Sequence, residues 1–417
     1  MNDAHDASTG RVNDLFIVSL MQRAYGYGSS LFRIEAALPL VSEGLGVKSE
    51  MLVTGQGGQF VFWDRGIDAQ RSYVVRLPEA DPDLSKMVAV GQLAESVSGG
   101  TVPVEQATTR LDEITSAPPR FGLMALGLGF GLIGAGVAVM FSTQWFDVGF
   151  GLLAGILAFV LVLLGMRWPW LGGTIQLSTG FVSAVVFTGV AHLVTGSNPF
   201  VMVICAVAVY IPGFVLSLGL TELFMGYPVS GLVRLTTAIL VTLKLFAGAA
   251  IGTALAVWLW GEPPPPEPIS VSLPVLFAFI AVLMVGVGVV FQVRSQDMLW
   301  VVVTGLVTYA ALTAGNEFGV GQGAFLGGLA LGLFSNIWAR VTGLPSTVVK
   351  LPGVMVLMPG VVAYIGVFDA QVVGAEALAA AAGTILQTVF WLIAGLVVAG
   401  ALVRPWVPST RVEQPAP

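Results

Sequence analysis

The sequence predicts a polytopic α-helical membrane protein, with ten transmembrane helices as two inverted five-helix repeats and a small N-terminal α+β cytoplasmic domain. Three observations predict it. Of 417 residues, 56% are hydrophobic and only 10% are charged, where a soluble domain carries about 25% charged residues. The charge is also lopsided: residues 1–120 hold 10 of the 18 Lys and Arg and 15 of the 24 Asp and Glu, a formal net charge of −5. Finally, a residue pattern in the apolar part recurs at a fixed spacing of 147 residues.

The charged segment reads as an ordinary soluble domain over 1–120. Apolar positions at three- and four-residue spacing predict helix over 14–45, and Gly44 and Gly46 stop it. Glu50–Thr54, Gln59–Trp63 and Ser72–Arg76 are short β-rich runs separated by GQGG and DRGIDAQ, as in a small antiparallel sheet. Helices follow at 82–98 and 103–115, with Pro103 placed to start the second. Arg33 and Glu35 are too close in sequence to share a helix face. They mark either a solvated or interdomain surface or a gating contact with the membrane part. The start MNDAHDASTGRVNDLF lacks the basic and apolar regions of a secretory signal, which predicts a cytoplasmic domain.

A helical span needs about 20 apolar residues. Ten such stretches occur, at 121–142, 148–166, 170–192, 198–220, 233–258, 271–292, 298–315, 320–338, 349–368 and 376–402. The domain division is then 1–120, a first membrane half 121–260, a Pro-rich connector 261–270, a second half 271–404 and a tail 405–417. The prolines of GEPPPPEP make the connector a stiff extended spacer. Basic residues set the orientation. With both termini cytoplasmic, Arg120, Arg167, Arg234, Arg294, Arg340, Lys350, Arg404 and Arg411 fall inside, and the outer connections contain no Lys or Arg. Multi-pass insertion in the cell's inner (cytoplasmic) membrane is the expectation.

The repeat strengthens this reading. Val194-Thr195-Gly196, Pro212-Gly213, Gly219 and Glu222 recur as Val341-Thr342-Gly343, Pro359-Gly360, Gly366 and Asp369, all at offset 147. Five spans per half invert the second half, so Glu222 faces the cytoplasm and Asp369 the outside. Pro/Gly-interrupted helices at matching positions of inverted repeats are the mark of a secondary transporter. Proline removes a backbone donor, and glycine lets the chain bend. The freed groups are tolerated at membrane depth only where protein covers them or they line a wet cavity. The simpler account is a packing kink, but it occurs twice in register. Gln176, Ser178, Thr179, Ser217, Ser335, Asn336 and Tyr364 are candidate polar lining, each also suited to a helix–helix hydrogen bond.

Lys244 lies eleven residues beyond Val233, so it sits roughly 16 Å deep, near the bilayer midplane. A cation there is costly unless paired or wetted. Two readings stand: a cavity-facing functional residue, or a structural ion pair with snorkelling. Cys205 lies in an apolar run and reads as a small buried hydrophobe. One cysteine and two histidines leave zinc-hydrolase and Ser-His-Asp chemistry without parts. No metal site, cofactor or nucleic-acid partner is implied, and no GxxxxGK[ST] motif for ATP is present.

With these motifs in view, the chain resembles the threonine/serine exporter family over about residues 14–402. RIEAALPLVSEGLGV, the three strands and YIPGFVLSLGLTELFMGYPVSGLVRLTTAI carry the resemblance in the first half. GAFLGGLALGLFSNIWARVTGLPSTVVKLPGVMVLMPGVVAYIGV carries it in the second. Related systems encode the halves as separate proteins. Asp147, in STQWFDVGFG, matches a family aspartate after the first membrane helix, while Ser142 and Thr143 replace the usual paired glycines. The resemblance implies export of threonine and serine driven by the proton gradient or membrane potential, and the split relatives are associated with dicarboxylate export.

The expected activity is therefore secondary, proton-coupled export of small hydrophilic amino acids, with protons and the lipid bilayer as partners and a homo-oligomer as an open option. An exporter is not an enzyme. The candidate translocation residues are Pro212, Gly213, Ser217, Glu222, Lys244, Asn336, Pro359, Gly360, Tyr364 and Asp369. Asp147 and Lys244 are the candidate coupling residues. A dicarboxylate exporter, in which Lys244 pairs with a substrate carboxylate, is the alternative. A channel and a membrane-anchored hydrolase or sensor are readings from other classes.

Overall fold

A computed structural model describes residues 2–54, 57–64, 70–78, 81–141, 144–210, 213–224, 226–267, 269–357 and 375–404. The N-terminal part is α1 (Asn2–Gly26), α2 (Leu31–Gly44), a β1-β2-β3 sheet (Val47–Thr54, Gly57–Asp64, Gln70–Arg76), α3 (Leu84–Ser98) and α4 (Val104–Ser116). Both strand pairs are antiparallel, with Glu50 opposite Val61 and Val61 opposite Ser72. The single helix predicted over 14–45 is two helices. Gly28, at φ +99°, adopts a left-handed conformation that a side chain would strain, and the chain turns there. Ile17, Leu20, Leu38, Phe60 and Phe62 fill the core between helices and sheet. Asp14 is fully buried in it, and Arg71 and Tyr73 satisfy its carboxylate at 2.5 Å and 3.2 Å.

The membrane part begins with α5 (Leu123–Met140), α6 (Trp145–Arg167), the short α7 (Pro169–Gly172) and α8 (Ile175–Leu193). Two shorter helices follow, α9 (Pro199–Val207) and α10 (Gly213–Phe224), then α11 (Pro228–Trp260). After the connector come α12 (Leu273–Val290), α13 (Met298–Asn316), α14 (Val320–Thr342), α15 (Thr347–Leu357) and α16 (Ala375–Leu402). Among the described residues, seven helices are long and apolar enough to cross a membrane. They match seven of the predicted spans, and α16 covers the tenth. The fourth predicted span, 198–220, is not one helix. It is interrupted between α9 and α10 by a 3-10 turn at Ala208–Tyr210. α15 ends at Leu357, and the rest of the ninth predicted span lies outside the described residues.

Helix starts recur between the halves. α8 and α9 begin at 175 and 199, and α14 and α15 at 320 and 347, offsets of 145 and 148. Packing recurs with them: α8 lies on α11 as α14 lies on α16, and α6 on α9 as α13 on α15. Glycine permits these close crossings. A Cβ at Gly248 would overlap the Leu177 carbonyl oxygen, and one at Gly395 would overlap that of Phe325. Lipid tails are as apolar as leucine, so membrane helices associate through such close backbone approach rather than through hydrophobic exclusion. α5 and α12 pack together and join the two halves.

Two ends can be told apart. At one, the soluble domain is docked: Leu84 N donates to Phe291 O at 3.0 Å. Phe121 N donates to Gln292 Oε1 at 2.8 Å, and Arg120 reaches Ser295. At the other, the connector crosses the first half: Glu267 N donates to Gly196 O at 3.0 Å, and Gln144 Nε2 to Glu267 O at 2.9 Å.

Candidate functional site

The interrupted α9–α10 element is the centre of the first half. Every residue of α9 from Val201 to Val207 is buried, enclosed by α5, α6 and α8. Its N-terminus is capped by Asn198, whose side chain accepts from Val201 N at 3.2 Å. Pro199 stands at the first helical position, where its missing N–H costs nothing. At the other end the helix tightens into the 3-10 turn, and Tyr210 donates to Ala158 O at 3.4 Å. Thr179 lies beside the Tyr210 hydroxyl. Pro212 lies outside the described residues, and α10 is described from Gly213. Leu216 of α10 joins Val354 and Leu357 of α15 in one apolar cluster, so the first interruption lies against the end of α15.

Buried hydroxyls accompany this junction. Thr179 Oγ1 and Thr308 Oγ1 are fully buried and have no hydrogen-bond partner of normal geometry among the described residues. A Cβ at Gly327 would meet both Leu357 and the Thr308 carbonyl, which places Thr308 near the last described turn of α15. An unpaired buried hydroxyl is costly, and it is the kind of group a polar ligand or water satisfies.

At the connector end, Asp147 is in the first turn of α6 and only 1% exposed. Its carboxylate accepts from Asn198 N at 3.3 and 3.4 Å, so it sits at the N-terminus of α9, where helix dipole and free amides favour an anion. Gly151 and Cys205 lie one helix turn below it. Cys205 is a buried thiol, as its apolar run predicts.

At the soluble-domain end, α10 and α11 form a tight helical hairpin. Tyr227 N donates to Glu222 O and Gly226 N to Leu223 O, with Gly226 at φ +88°, an αL helix end that only glycine adopts freely. Glu222 and Arg234 are symmetric about Pro228 in sequence, and the hairpin brings them together at 2.9 Å. Ser230 Oγ also donates to Glu222 at 2.7 Å. Tyr25 of the soluble domain stacks 5.2 Å from the Arg234 guanidinium. Tyr227 donates to the Glu35 carboxylate, so this segment makes an interdomain contact, which fits the interdomain-surface reading and the gating reading alike. Arg33, two residues away, is desolvated between the domains. Burial pulls its guanidinium down to about 10, against the opposing effect of Glu95. Lys350 Nζ, in the first turn of α15, donates to Asn336 Oδ1 at 3.2 Å, and Asn336 Nδ2 donates to Val403 O at 2.8 Å.

The predicted site residues thus separate into three places. Gly213 opens α10 at the interruption. Asp147 lies at the connector end. Glu222 and Asn336 lie at the soluble-domain end, the first in an ion pair and the second under Lys350. Ser335 turns back onto Leu331 O at 2.6 Å, the helix–helix reading of a buried serine. Lys244 stands midway along α11, sixteen residues from Pro228 and sixteen from Trp260, and is exposed on the outward face beside Leu240 and Leu243. Pro212, Pro359, Gly360, Tyr364 and Asp369 lie outside the described residues, and so does the side chain of Ser217. Sequence reasoning missed Arg234 and Asn198. The first had a signal: residues equally distant from a GYP turn meet in a helical hairpin.

A family model described as "Putative threonine/serine exporter" matches residues 17–256, and a second, "Threonine/Serine exporter, ThrE", matches residues 275–404. Pheromone-regulated membrane protein 10 of Candida albicans is 23% identical over 342 residues, 78% of this chain and 30% of that protein. The probable threonine/serine exporter of Mycobacterium tuberculosis is 28% identical over 174 residues, 40% of this chain and 32% of that protein. The threonine/serine exporter of Corynebacterium glutamicum is 26% identical over 185 residues, 42% of this chain and 37% of that protein. The matches span about a third of the length of these relatives. No solved structure matches the chain. With both halves matched in order and across nearly the whole membrane part, the chain belongs to the threonine/serine exporter family.

Proposed function

We propose that the protein is a secondary, proton-coupled exporter of small hydrophilic amino acids, threonine and serine among them, across the inner (cytoplasmic) membrane. The observation that carries this reading is the interruption of α9–α10 in the middle of the first half, with the buried hydroxyl of Thr179 beside Tyr210 of its 3-10 turn. An amino-acid zwitterion needs donors for its carboxylate and acceptors for its ammonium. Backbone freed at a helix break offers both, at the depth where a transporter binds its substrate.

The recurring helix starts and packing pairs support two five-span inverted repeats, ten spans in all, with Pro212-Gly213 and Pro359-Gly360 as the matched breaks. The same arrangement supports the division at 120, 260, 270 and 404, and the loop charges support cytoplasmic termini. Asp147 is the coupling residue of this reading: it is buried, ionisable and hydrogen-bonded to the start of the interrupted element. The exposure of Lys244 supports the snorkelling or ion-pair reading of that residue and leaves coupling to Asp147.

Efflux from cells loaded with threonine-containing dipeptides tests the proposal, with succinate measured in parallel. A deletion strain should retain threonine, and the gene should restore its loss. Retention of succinate alone would transfer the reading to a dicarboxylate exporter. No change in either solute would sink the transporter reading.

A further inference from the structure

The soluble domain touches both halves of the membrane part, and it touches them differently. On the second half it rests on the turn between α12 and α13. Leu84 N donates to Phe291 O at 3.0 Å. Phe121 N donates to Gln292 Oε1 at 2.8 Å, and Gln292 Nε2 donates back to Phe121 O at 3.4 Å. Gln292, at φ +54°, is the one non-glycine residue at positive φ among the described residues, and such a conformation persists only where its neighbours fix it. Leu84, Met87 and Val88, early in α3, are 1%, 3% and 2% exposed and belong to one apolar cluster with Val287 and Val293. Lifting them out would return buried apolar surface to water.

On the first half the domain meets the α10–α11 hairpin through polar side chains. Tyr227 donates to the Glu35 carboxylate, and the Tyr25 ring lies 5.2 Å from the Arg234 guanidinium. Glu35 and Tyr227 are half-buried, and the hairpin beside them is open: Gly226 and Pro228 are exposed, and Val229 is 56% exposed. Polar groups in such a place regain water when they part, so the contact is made and broken at small net cost. Arg234 keeps Glu222 as its ion-pair partner when Tyr25 leaves.

A single packed body joins the two attachments. Val90, Leu93 and Val97 of α3 share the soluble domain's core with Tyr25 and Ile34, so α3 links the α12–α13 turn to α1 and α2. In inverted-repeat transporters, alternating access is largely the rocking of one half against the other. A packed body bonded to both halves opposes that motion.

We infer that the soluble domain is a latch. It is anchored on the α12–α13 turn and rides with the second half, and its Glu35–Tyr227 and Tyr25–Arg234 contacts hold the α10–α11 hairpin until they part in each transport cycle. That they part during export rests on the exporter reading, whereas their hold on the hairpin does not.

Two measurements on the full chain carrying Cys205→Ala test this. Nitroxide labels on Glu43→Cys with Val229→Cys report the latch by pulsed electron–electron distance measurement, and labels on Glu43→Cys with Gln296→Cys report the anchor. Adding Glu35→Ala and Tyr227→Ala should give the first pair a second, longer distance and leave the second pair with one. Unchanged distances in the first pair, or a new distance in the second, overturns the latch. In proteoliposomes, Glu35→Cys with Tyr227→Cys, joined by a short bis-methanethiosulfonate, should move threonine slower by about tenfold or more, and reductant should restore the rate. Arg120→Cys with Ser295→Cys, joined likewise, should stay within about twofold of its unlinked rate. Normal flux through the linked latch pair, or an equal loss through the linked anchor pair, overturns the proposal. So does slower flux in the unlinked Glu35→Cys, Tyr227→Cys protein, because a freed latch should not hinder export. Absence of threonine flux in the Cys205→Ala parent strikes the exporter reading instead, and the distances then decide the hold on the hairpin alone.

Discussion

Glu222 and Arg234 offer the sharpest test of what is scaffold and what is machinery. Their side chains are 3% and 10% exposed, and Arg234 Nε lies 3.1 and 2.9 Å from the two carboxylate oxygens. Glu222→Gln leaves the guanidinium buried against a neutral amide, with Tyr25 as its remaining neighbour. Breaking a buried pair from one side costs about 3–5 kcal/mol. Replacing both partners, as Glu222→Gln with Arg234→Met, removes the stranded charge and should return most of that loss. The coupling between the two changes should then be about 2–4 kcal/mol. The assay is thermal unfolding of the detergent-solubilised protein, where the single variant should melt about 5–10 °C lower and the double variant near the wild type. Additive losses would refute the ion-pair reasoning. Threonine efflux by the double variant answers a second question. Stable protein that exports assigns the pair to scaffold, and stable protein that does not export assigns Glu222 to translocation.

Asp147→Asn should abolish threonine movement driven by an imposed pH gradient in proteoliposomes while sparing insertion, and full retention would remove Asp147 from coupling. In a Cys205→Ala background, a cysteine at Glu317 should react with impermeant maleimide from outside the cell and one at Arg294 should not. The reverse pattern would overturn the orientation. Gly248→Leu forces a side chain into the Leu177 carbonyl and should separate α8 from α11, seen as loss of folded protein by gel filtration, and a normal elution profile would disprove the crossing. Burial raises the Asp83 carboxyl, outweighing the Lys86 amide and charge that lower it. Its ionised form is therefore the costlier one in the fold, fully so above the folded value, with the cost vanishing below the ordinary value of 3.8. Asp83→Asn keeps the cap on Lys86 N and should stabilise the soluble domain at pH 7 more than at pH 4. Asp83→Ala should cost about 1 kcal/mol through the lost cap, and an equal effect of both variants would discredit this account.

Helix existence was legible because twenty-residue apolar runs have few alternatives in a bilayer. Strand positions in the N-terminal domain were legible from Gly-rich punctuation between β-rich runs; the strands begin two or three residues before the predicted cores and end within one residue of them. The division of 14–45 was not, because Tyr25 and Tyr27 continue the helical spacing and only the φ of Gly28 breaks it. Among site residues, Asp147 was found through a resemblance, and its partner Asn198 lies 51 residues away, beyond any local pattern. Lys244 shows the opposite failure. Depth along a helix can be counted from sequence, but the direction of a side chain depends on which neighbours pack: α8 covers the Leu245–Gly248–Gly252 stripe of α11, and Lys244 stays exposed at its edge.

The docking of Leu84 on Phe291 and of Phe121 on Gln292 joins the soluble domain to the second half, although the chain connects it to the first. Together with the α5–α12 seam, these bonds join the halves on surfaces outside the connector at 261–270, which itself bonds only to the first half among the described residues, so its role between the halves is that of a tether. A tether acts chiefly by raising effective concentration, to the millimolar range for short linkers. Chains cut there would reassemble wherever their abundance in the bilayer exceeds the dissociation constant of those surfaces. Whether such a transporter is written as one gene or two is then a matter of expression level, with the same surfaces meeting in either case.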